Sequence, residues 1–300
     1  MKRIMKHILL RRISQIAGTL LANSYFRAWT GNPQIYQGKL KGIVPPILNC
    51  YACPSATVAC PAGSAQHFAA LRMIPYYVIG SIAMFGVLIG RAACGWVCPF
   101  GLLQDLEYKL GRLIKLPKIR IPKWTSWGRY LFLIGMVILA PILTGTAEEG
   151  FVMPGKTTFC KFCPAGALEG GIPQVLLHAN LRPLLGSLFT RKMIILGIFL
   201  IAFLLIKRPF CRVVCPVGAF LGLFNKISLL EFRVDCETCT SCGYCRKVCP
   251  VDIAIHESPN SHDCIRCGDC IKACPLGAVK VGSIFGKGGL KESPSSCPAK

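Results

Sequence analysis

Cysteine is the residue type in this chain whose number and spacing indicate a chemical role. Eight of the 19 cysteines fall in two runs with one spacing, Cys-x2-Cys-x2-Cys-x3-Cys-Pro. The runs are Cys239, Cys242, Cys245 and Cys249, then Cys264, Cys267, Cys270 and Cys274. Thiolates at this spacing on a tight turn hold three corners of an iron-sulfur cube. Zinc or disulfides, the alternatives, fit less well because zinc sites use paired Cys-x2-Cys motifs rather than triplets followed by Cys-Pro.

The fourth cysteine of each run is aimed away from its own cube and therefore ligates the other cluster. Two [4Fe–4S] clusters are predicted, on Cys239, Cys242, Cys245 and Cys274, and on Cys264, Cys267, Cys270 and Cys249. Cys236 is interpreted as a bystander, because four ligands per cluster are already present. The stretch resembles the bacterial two-cluster ferredoxins, with a small α+β ferredoxin-like fold. That resemblance implies short strands after each Cys-Pro turn, at residues 251–255 and 278–281.

Composition favours a membrane protein. Hydrophobic residues make up 53% of the 300 residues and charged residues only 16%, which is poor in charge for a soluble protein. The net charge of +22 is compatible with nucleic-acid binding, but the Lys and Arg residues flank apolar segments as membrane topology demands. Bound clusters with thiolate ligands also carry negative charge. We therefore expect no nucleic-acid partner, and metal ligation in a reducing compartment rather than a disulfide scaffold.

Four apolar segments are expected to cross the membrane as helices, at residues 13–29, 73–90, 130–147 and 193–206. The first is interrupted by polar residues and the fourth is short, and core helices of a soluble protein are the alternative. The predicted fold is thus an α-helical membrane domain over residues 1–230, followed by the ferredoxin domain over residues 231–281. Residues 282–300, including Cys297, are expected to form a disordered tail.

The other cysteines recur in a regular order between these segments. They are Cys50, Cys53 and Cys60, then Cys94 and Cys98, then Cys160 and Cys163, then Cys211 and Cys215. CGWVCPFG matches CRVVCPVG, CYACP matches FCKFCP, and CPAG occurs at both Cys60 and Cys163. The chain therefore reads as a tandem 2+2 repeat of helix, Cys-x2-Cys-Pro loop, helix and Cys-x3-Cys-Pro loop.

The repeat predicts sidedness. Each unit contains two spans, so both Cys-x3-Cys-Pro motifs lie on one side of the membrane and both Cys-x2-Cys-Pro motifs on the other. Positive residues are denser between residues 91 and 129 than between residues 30 and 72. By the positive-inside rule, the N-terminus, the Cys-x3-Cys-Pro motifs and the ferredoxin domain are cytoplasmic. We expect a multi-pass protein of a prokaryotic cytoplasmic membrane.

Each face of this arrangement carries enough thiolates for one more cube. A third [4Fe–4S] cluster is predicted on Cys94, Cys98, Cys211 and Cys215, and a fourth on Cys50, Cys53, Cys160 and Cys163. Cys60 is the possible substitute for Cys50 or Cys53, and disulfides are the alternative for the outward set. A hydrocarbon core of ~30 Å is wide for one electron-transfer step. Either the loops re-enter the membrane and bring these two clusters closer together, or a further cofactor lies between them.

The paired Cys-x3-Cys-Pro motifs followed by a two-cluster ferredoxin resemble the membrane polyferredoxins of the NapH and NosR type. The resemblance implies an electron-transfer component rather than a stand-alone enzyme, with redox partner proteins on one or both sides. No phosphate-binding, haem-attachment or dinucleotide motif is found, and no catalytic residue is assigned. The favoured function is transfer from a cytoplasmic donor to an outward-facing acceptor. The alternatives are a quinol-linked subunit that feeds a reductase, and a redox-sensing or assembly factor.

Overall fold

The computed structural model describes residues 2–30, 34–148, 151–153, 158–283 and 297. Most of this chain is helical. The α-helices are α1 (Lys2–Ala22), α2 (Pro61–Ala70), α3 (Tyr76–Ile89), α4 (Ala92–Trp96), α5 (Pro99–Leu113), α6 (Gly128–Leu131), α7 (Ala140–Thr144), α8 (Ile172–Leu177), α9 (Ser187–Leu205), α10 (Pro209–Val213), α11 (Pro216–Leu223), α12 (Tyr244–Val248) and α13 (Asp269–Ala273). Two π-helical segments, Phe132–Leu139 and Gly166–Gly171, continue into α7 and α8 respectively.

Two helices are long and apolar enough to cross a membrane, Lys123–Thr144 and Ser187–Leu205. The helix Lys123–Thr144 contains α6, the first π-helical segment and α7. α3 is apolar but shorter. The expected first span, residues 13–29, is wrong in extent, because α1 ends at Ala22. The Asn23 side chain donates to the Thr19 carbonyl and to Asn49, which turns the chain out of the helix.

Four of the five Cys-Pro sequences of the membrane domain begin a helix, and Cys53-Pro54 lies in a turn. Cys60, Cys98 and Cys215 are the residues immediately before α2, α5 and α11, and Pro164 starts the helical stretch that continues into α8. Proline suits the first helical position because its fixed φ is already helical and its missing N–H would have no helical partner there. The repeat thus places a cysteine at the start of a helix four times.

Two antiparallel pairs of strands complete the fold. β1 (Thr146–Glu148) pairs with β2 (Phe151–Met153), and β3 (Leu230–Val234) pairs with β4 (Val279–Ser283). The second pair closes the ferredoxin domain, with Leu230 opposite Ser283.

The strand expected at residues 251–255 is absent, because that segment forms turns and Asp252 has a left-handed backbone, with φ of 58°. The other expected strand, at residues 278–281, is present as β4 but extends two residues past the predicted domain end.

The prediction of a disordered tail over residues 282–300 is wrong in part. Ser283 lies in β4, and Cys297 is buried and forms a disulfide with Cys236. The Cys297 amide also donates to the His256 carbonyl. The rest of the expected tail, residues 284–296 and 298–300, lies outside the described residues. Cys236 is therefore no cluster ligand in this structure, as the spacing predicts, but it has a partner that the sequence reading did not foresee.

The loop over residues 43–60 folds into the centre of the membrane domain. Val44, Ile47 and Leu48 are buried in the same apolar core as Phe100 and Phe210. Burying these apolar side chains favours the inward path of the loop, since removal of apolar surface from water or headgroups is the main driving force for packing. The inward path of the loop places Cys60 in the same apolar core.

Candidate iron-sulfur sites

The ferredoxin cysteines line two separate small cavities. Quartet A comprises Cys239, Cys242, Cys245 and Cys274. Quartet B comprises Cys249, Cys264, Cys267 and Cys270. Helix α12 carries Cys245 of quartet A and ends at Cys249 of quartet B, and α13 carries Cys270 of quartet B and ends at Cys274 of quartet A. The described geometry therefore groups these cysteines in the crossed manner that their spacing predicts.

Left-handed glycines make the turns before these two helices. Gly243 precedes α12 with φ of 70°, and Gly268 precedes α13 with φ of 78°. Glycine adopts this conformation without steric cost, so the chain can turn tightly around the position that a cube would occupy.

Quartet C, in the membrane domain, comprises Cys94, Cys98, Cys211 and Cys215, all of which are buried. Burial is the main cause that raises the pKa of the Cys215 thiol, and the nearby Cys211, Cys94 and Cys98 raise it further. The four thiols therefore share one site. The Gln104 side-chain amide donates to the Cys211 sulfur at 3.0 Å.

Quartet D comprises Cys50, Cys60, Cys160 and Cys163, which line a cavity of about 210 Å³. Cys53, which was expected here, is buried but does not line the cavity, and Cys60 takes its place. The reason is local: Cys60 and Cys163 are the matching residues of the repeated CPAG motif, each at the start of a helix. All five of these cysteines are free thiols in the structure, so the disulfide alternative is not adopted.

A half-buried carboxyl group lies at the edge of quartet D. The Glu169 Oε2 atom accepts a hydrogen bond from the Cys50 amide at 2.7 Å. Burial raises the pKa of Glu169 to about 7, and the Cys50 N–H opposes part of that rise.

Quartets C and D are joined by aromatic and backbone contacts. Phe159, next to Cys160, and Phe210, next to Cys211, have ring centroids 6.4 Å apart. Phe100 packs edge-on against Phe210 at 5.0 Å. The backbone of Leu48, which lines the quartet D cavity, hydrogen-bonds the Cys98 side chain. Leu48 and the Phe159–Phe210 pair therefore bridge the two quartets.

Quartet C also lies against quartet B of the ferredoxin domain. A Cβ atom on Gly95, between Cys94 and Cys98, would lie 2.5 Å from the Ile265 carbonyl oxygen and 3.5 Å from the Cys267 Cα atom. Trp96 Nε1 donates to the Arg266 carbonyl at 3.1 Å. The absence of a side chain at Gly95 lets α4 contact the ferredoxin loop directly. The quartets are thus ordered D, C, B and A along the molecule.

Buried polar side chains hold this junction together. The Arg91 guanidinium donates to the carbonyls of His262 and Cys211, at 2.9 and 3.1 Å. The Asn225 amide donates to the Ser261 and Cys264 carbonyls, both at 2.8 Å. These hydrogen bonds between buried groups favour one arrangement of the junction, because another arrangement would leave the same donors and carbonyls unpaired.

The distribution of buried charge fits bound clusters. Six described arginines are buried but only two described carboxylates, Asp105 and Asp269. Buried charges are costly unless they are compensated, and thiolate-ligated clusters carry negative charge that would balance the excess of buried arginines.

Within the described residues, no three His, Cys, Asp or Glu side chains converge on the position of a single metal ion. Quartets A, B and D instead line cavities, and the thiol donors of all four quartets are the ones that iron-sulfur clusters require.

Several residues beside the quartets were missed by the sequence reading. They are Gln66, Gln104 and Glu169, which contact quartet cysteines, and Phe159 and Phe210, which join quartets C and D. A signal for the first three exists in the repeat, because each is the sixth residue after the cysteine of a Cys-Pro sequence. The two phenylalanines adjoin cysteines, but their contact requires the tertiary fold.

Two parts of the membrane domain match one known family. Residues 76–117 and 189–234 each match the 4Fe-4S binding domain family. Each match covers a hydrophobic helix and the Cys-x3-Cys-Pro motif after it, which agrees with the internal repeat.

The similarity to known proteins extends over most of the chain. The methylamine utilization ferredoxin-type protein MauN of Methylorubrum extorquens is 30% identical over 245 residues, which cover 80% of this chain and 73% of MauN. The chain belongs to the ferredoxin-type protein family of MauN. It is an iron-sulfur, ferredoxin-type electron-transfer protein.

Other members agree with this assignment. The ferredoxin-type protein NapH of Haemophilus influenzae is 27% identical, over 80% of this chain and 73% of NapH. The regulatory protein NosR of Stutzerimonas stutzeri is 30% identical over 59% of this chain, but that match covers only 22% of NosR. The NapH and NosR resemblance read from the cysteine motifs is therefore confirmed. No solved structure matches the chain.

Proposed function

We propose that this chain is a membrane-bound conduit that passes single electrons between a cytoplasmic donor and an outward-facing acceptor. The observation that carries the proposal is the row of four cysteine quartets, each adjacent to the next. A [4Fe–4S] cluster on each quartet supplies a one-electron carrier.

The chain's own residues hold the carriers close together and keep water away. Phe159 and Phe210 fill the space between quartets D and C, and Gly95 permits the close contact between quartets C and B. Both aromatic side chains are buried. Quartet A lies at the other end, where Cys242 is exposed and a soluble donor can approach.

The proposed topology has four membrane crossings, with the ferredoxin domain in the cytoplasm. Two long apolar helices and the shorter α3 support three of them. The fourth is the segment that begins in the second half of α1 and continues past Ala22, where the exposed Ile13, Ile16 and Leu20 side chains suit a lipid-facing surface. The basic first half of α1 packs against the ferredoxin domain, where Arg11 pairs with Asp269 at 2.9 Å.

Electron transfer across a sealed membrane tests this function. The protein is reconstituted into vesicles with its ferredoxin domain outside, an impermeant reductant outside and an impermeant acceptor protein trapped inside. Reduction of the trapped acceptor is expected with the native chain. It is expected to be lost with Cys98→Ser, while quartets A and B still become reduced. Equal rates for the native chain and Cys98→Ser would refute the conduit.

A specific cavity favours quinol oxidation as the second candidate function. An apolar cavity of about 420 Å³ lies between α2, α3, α11 and the helix Lys123–Thr144. It is within the size range of small-molecule sites, and α2 and α11 start beside Cys60 and Cys215 of quartets D and C. Val78 and Val137 line it, with Arg72 as its one charged residue among those described.

Filling this cavity separates the two functions. Ala65→Phe places a ring in the cavity, so the quinol-linked function predicts loss of reduction by a membrane quinol with unchanged reduction by a soluble reductant. The conduit function predicts that both reductions continue.

A further inference from the structure

Two buried glutamines contact cysteine sulfurs in the membrane domain. Gln66, on α2, is 2% exposed, and its Nε2 atom donates to the Cys160 sulfur at 3.2 Å. Its Oε1 atom accepts a hydrogen bond from the Cys160 amide at 3.3 Å. The same side chain thus binds both the backbone and the thiol of one quartet D residue.

Gln104 makes the equivalent contacts in quartet C. It lies on α5, is fully buried, and donates through Nε2 to the Cys211 sulfur at 3.0 Å. Its Oε1 atom accepts from the Cys211 amide at 3.5 Å. Each glutamine also donates to the carbonyl four residues earlier in its own helix, Ala62 or Phe100. Two independent sites therefore show one pattern of contacts.

The internal repeat explains the pattern. Gln66 and Gln104 are each the sixth residue after the cysteine of a Cys-Pro sequence, and each reaches the first cysteine of a pair in the other repeat unit. After the other two Cys-Pro sequences that begin a helix, the equivalent positions hold Glu169, whose carboxylate accepts from the Cys50 amide, and the buried Leu221. An amide that donates to a sulfur is therefore present once in each membrane quartet.

We propose that Gln66 and Gln104 set the reduction potentials of the clusters on quartets D and C. The inference rests on the proposed function, because it requires a cluster on each quartet. Reduction adds negative charge that is shared with the ligand sulfurs. An N–H donor to such a sulfur stabilises the reduced state and raises the potential. Each glutamine acts on its cluster through a ligand sulfur, one in quartet D and the other in quartet C.

Matched substitutions test the proposal by redox titration of the purified holoprotein, followed by electron paramagnetic resonance. Gln66→Met is expected to lower the potential of the quartet D cluster alone, and Gln104→Met that of the quartet C cluster alone. We expect a change of roughly tenfold in each reduction equilibrium, which is about 59 mV for one electron. Gln174→Met is the control, because Gln174 lines the quartet D cavity but donates to the Ala52 carbonyl rather than to a sulfur.

A second pair of variants separates tuning from a structural role. Gln66→Glu and Gln104→Glu keep an oxygen that accepts the cysteine amide but remove the donor to the sulfur, so the potential is expected to fall at least as far as with methionine. Unchanged potentials in variants that retain full iron would overturn the proposal.

A measurement on the native chain covers the case in which a variant loses its cluster. Glutamine side chains labelled with ¹⁵N are expected to show hyperfine coupling to the reduced quartet C and D clusters. Absence of this coupling would also overturn the proposal.

The iron content of the native chain separates this inference from the proposed function. Roughly 16 iron atoms per chain, four per cube, without coupling or shift would reject the tuning role alone, whereas roughly 8 would reject the four-cluster row.

Discussion

Asp105 is the residue that ties α1, α5 and the start of α10 together. Its carboxylate accepts two hydrogen bonds from Arg208, at 2.8 and 2.6 Å, and one from Arg12 at 2.7 Å. Arg11 contributes a longer contact at 3.4 Å. Arg208 also donates to the Cys94 carbonyl at 2.9 Å, so this network supports the backbone that carries quartet C.

Removing the charge of Asp105 is expected to destabilise the fold strongly. Asp105→Asn leaves buried guanidinium groups without their counter-ion, and breaking a buried pair in this way costs about 3–5 kcal/mol. Chemical denaturation of the detergent-solubilised protein measures the change in the free energy of unfolding. Glu257→Gln is the control, because the Lys123–Glu257 pair is largely exposed and its loss should change little. A similar effect of both substitutions would contradict this account.

The same residue predicts a pH dependence. Burial disfavours the charged form of Asp105, but the Arg208 guanidinium outweighs it, and Arg12 and Arg11 add to the effect, so the pKa lies well below its usual range. A depressed pKa in the folded state stabilises the protein above the unfolded pKa of about 4, and that stabilisation is lost as the pH falls below it. The difference in unfolding free energy between the native chain and Asp105→Asn should therefore shrink as the pH is lowered below about 4.

The choice between Cys53 and Cys60 is also decided at the residue scale. Cys60→Ser is expected to remove the quartet D cluster, a loss of roughly four iron atoms per chain, because Cys60 lines that cavity. Cys53→Ser is expected to keep full iron, because Cys53 lies outside the cavity. Iron and acid-labile sulfide assays on the two purified variants check this, and the reverse pattern would restore the pairing that the sequence spacing suggested.

These cysteines show how far sequence reasoning reaches. The grouping of the ferredoxin cysteines followed from spacing, because ligands two or three residues apart are placed by local turns. Cys53 and Cys60 could not be separated in this way, since both follow the same span and the outcome depends on how the loop over residues 43–60 folds inward. The Cys236–Cys297 disulfide joins residues 61 positions apart, and no local pattern indicates it.

At the scale of elements, α5 and α9 pack closely because α5 lacks a side chain at Gly111. A Cβ atom on Gly111 would lie 2.1 Å from the Leu204 carbonyl oxygen. α5 begins beside Cys98 and α9 leads to Cys211, so their contact helps to fix two cysteines of quartet C. Hydrophobicity predicted a span at residues 193–206, within α9, but the sequence did not indicate which helix α9 would contact.

Gly111→Ala is expected to separate these helices and destabilise the protein by about 1–3 kcal/mol, the usual cost of overpacking. Gly197→Ala on α9 is the matched control, because nothing lies within 4 Å of its Cβ position. That substitution should be neutral or stabilise by about 0.5–1 kcal/mol, since alanine favours helices. Thermal unfolding of both variants measures the effect, and destabilisation by Gly197→Ala alone would argue against the packing described.

At the scale of the whole molecule, the repeat and the charge distribution predict one orientation. A cysteine-free reporter fused to the C-terminus is expected to be active only in the cytoplasm, and one inserted near Lys39 only outside, because the denser positive segments stay inside. Reporter activity in intact cells measures this. The opposite result at both sites would reverse the direction of the proposed electron path.

The number of clusters per chain tests the central claim most directly. The row of quartets A to D predicts roughly 16 iron atoms and as many acid-labile sulfides per chain in anaerobically purified protein, four of each per cube. The measurement is a chemical assay against protein concentration from amino-acid analysis. A value near 8, with Cys60 and Cys163 recovered in disulfides, would leave only a membrane-anchored two-cluster ferredoxin and contradict the conduit.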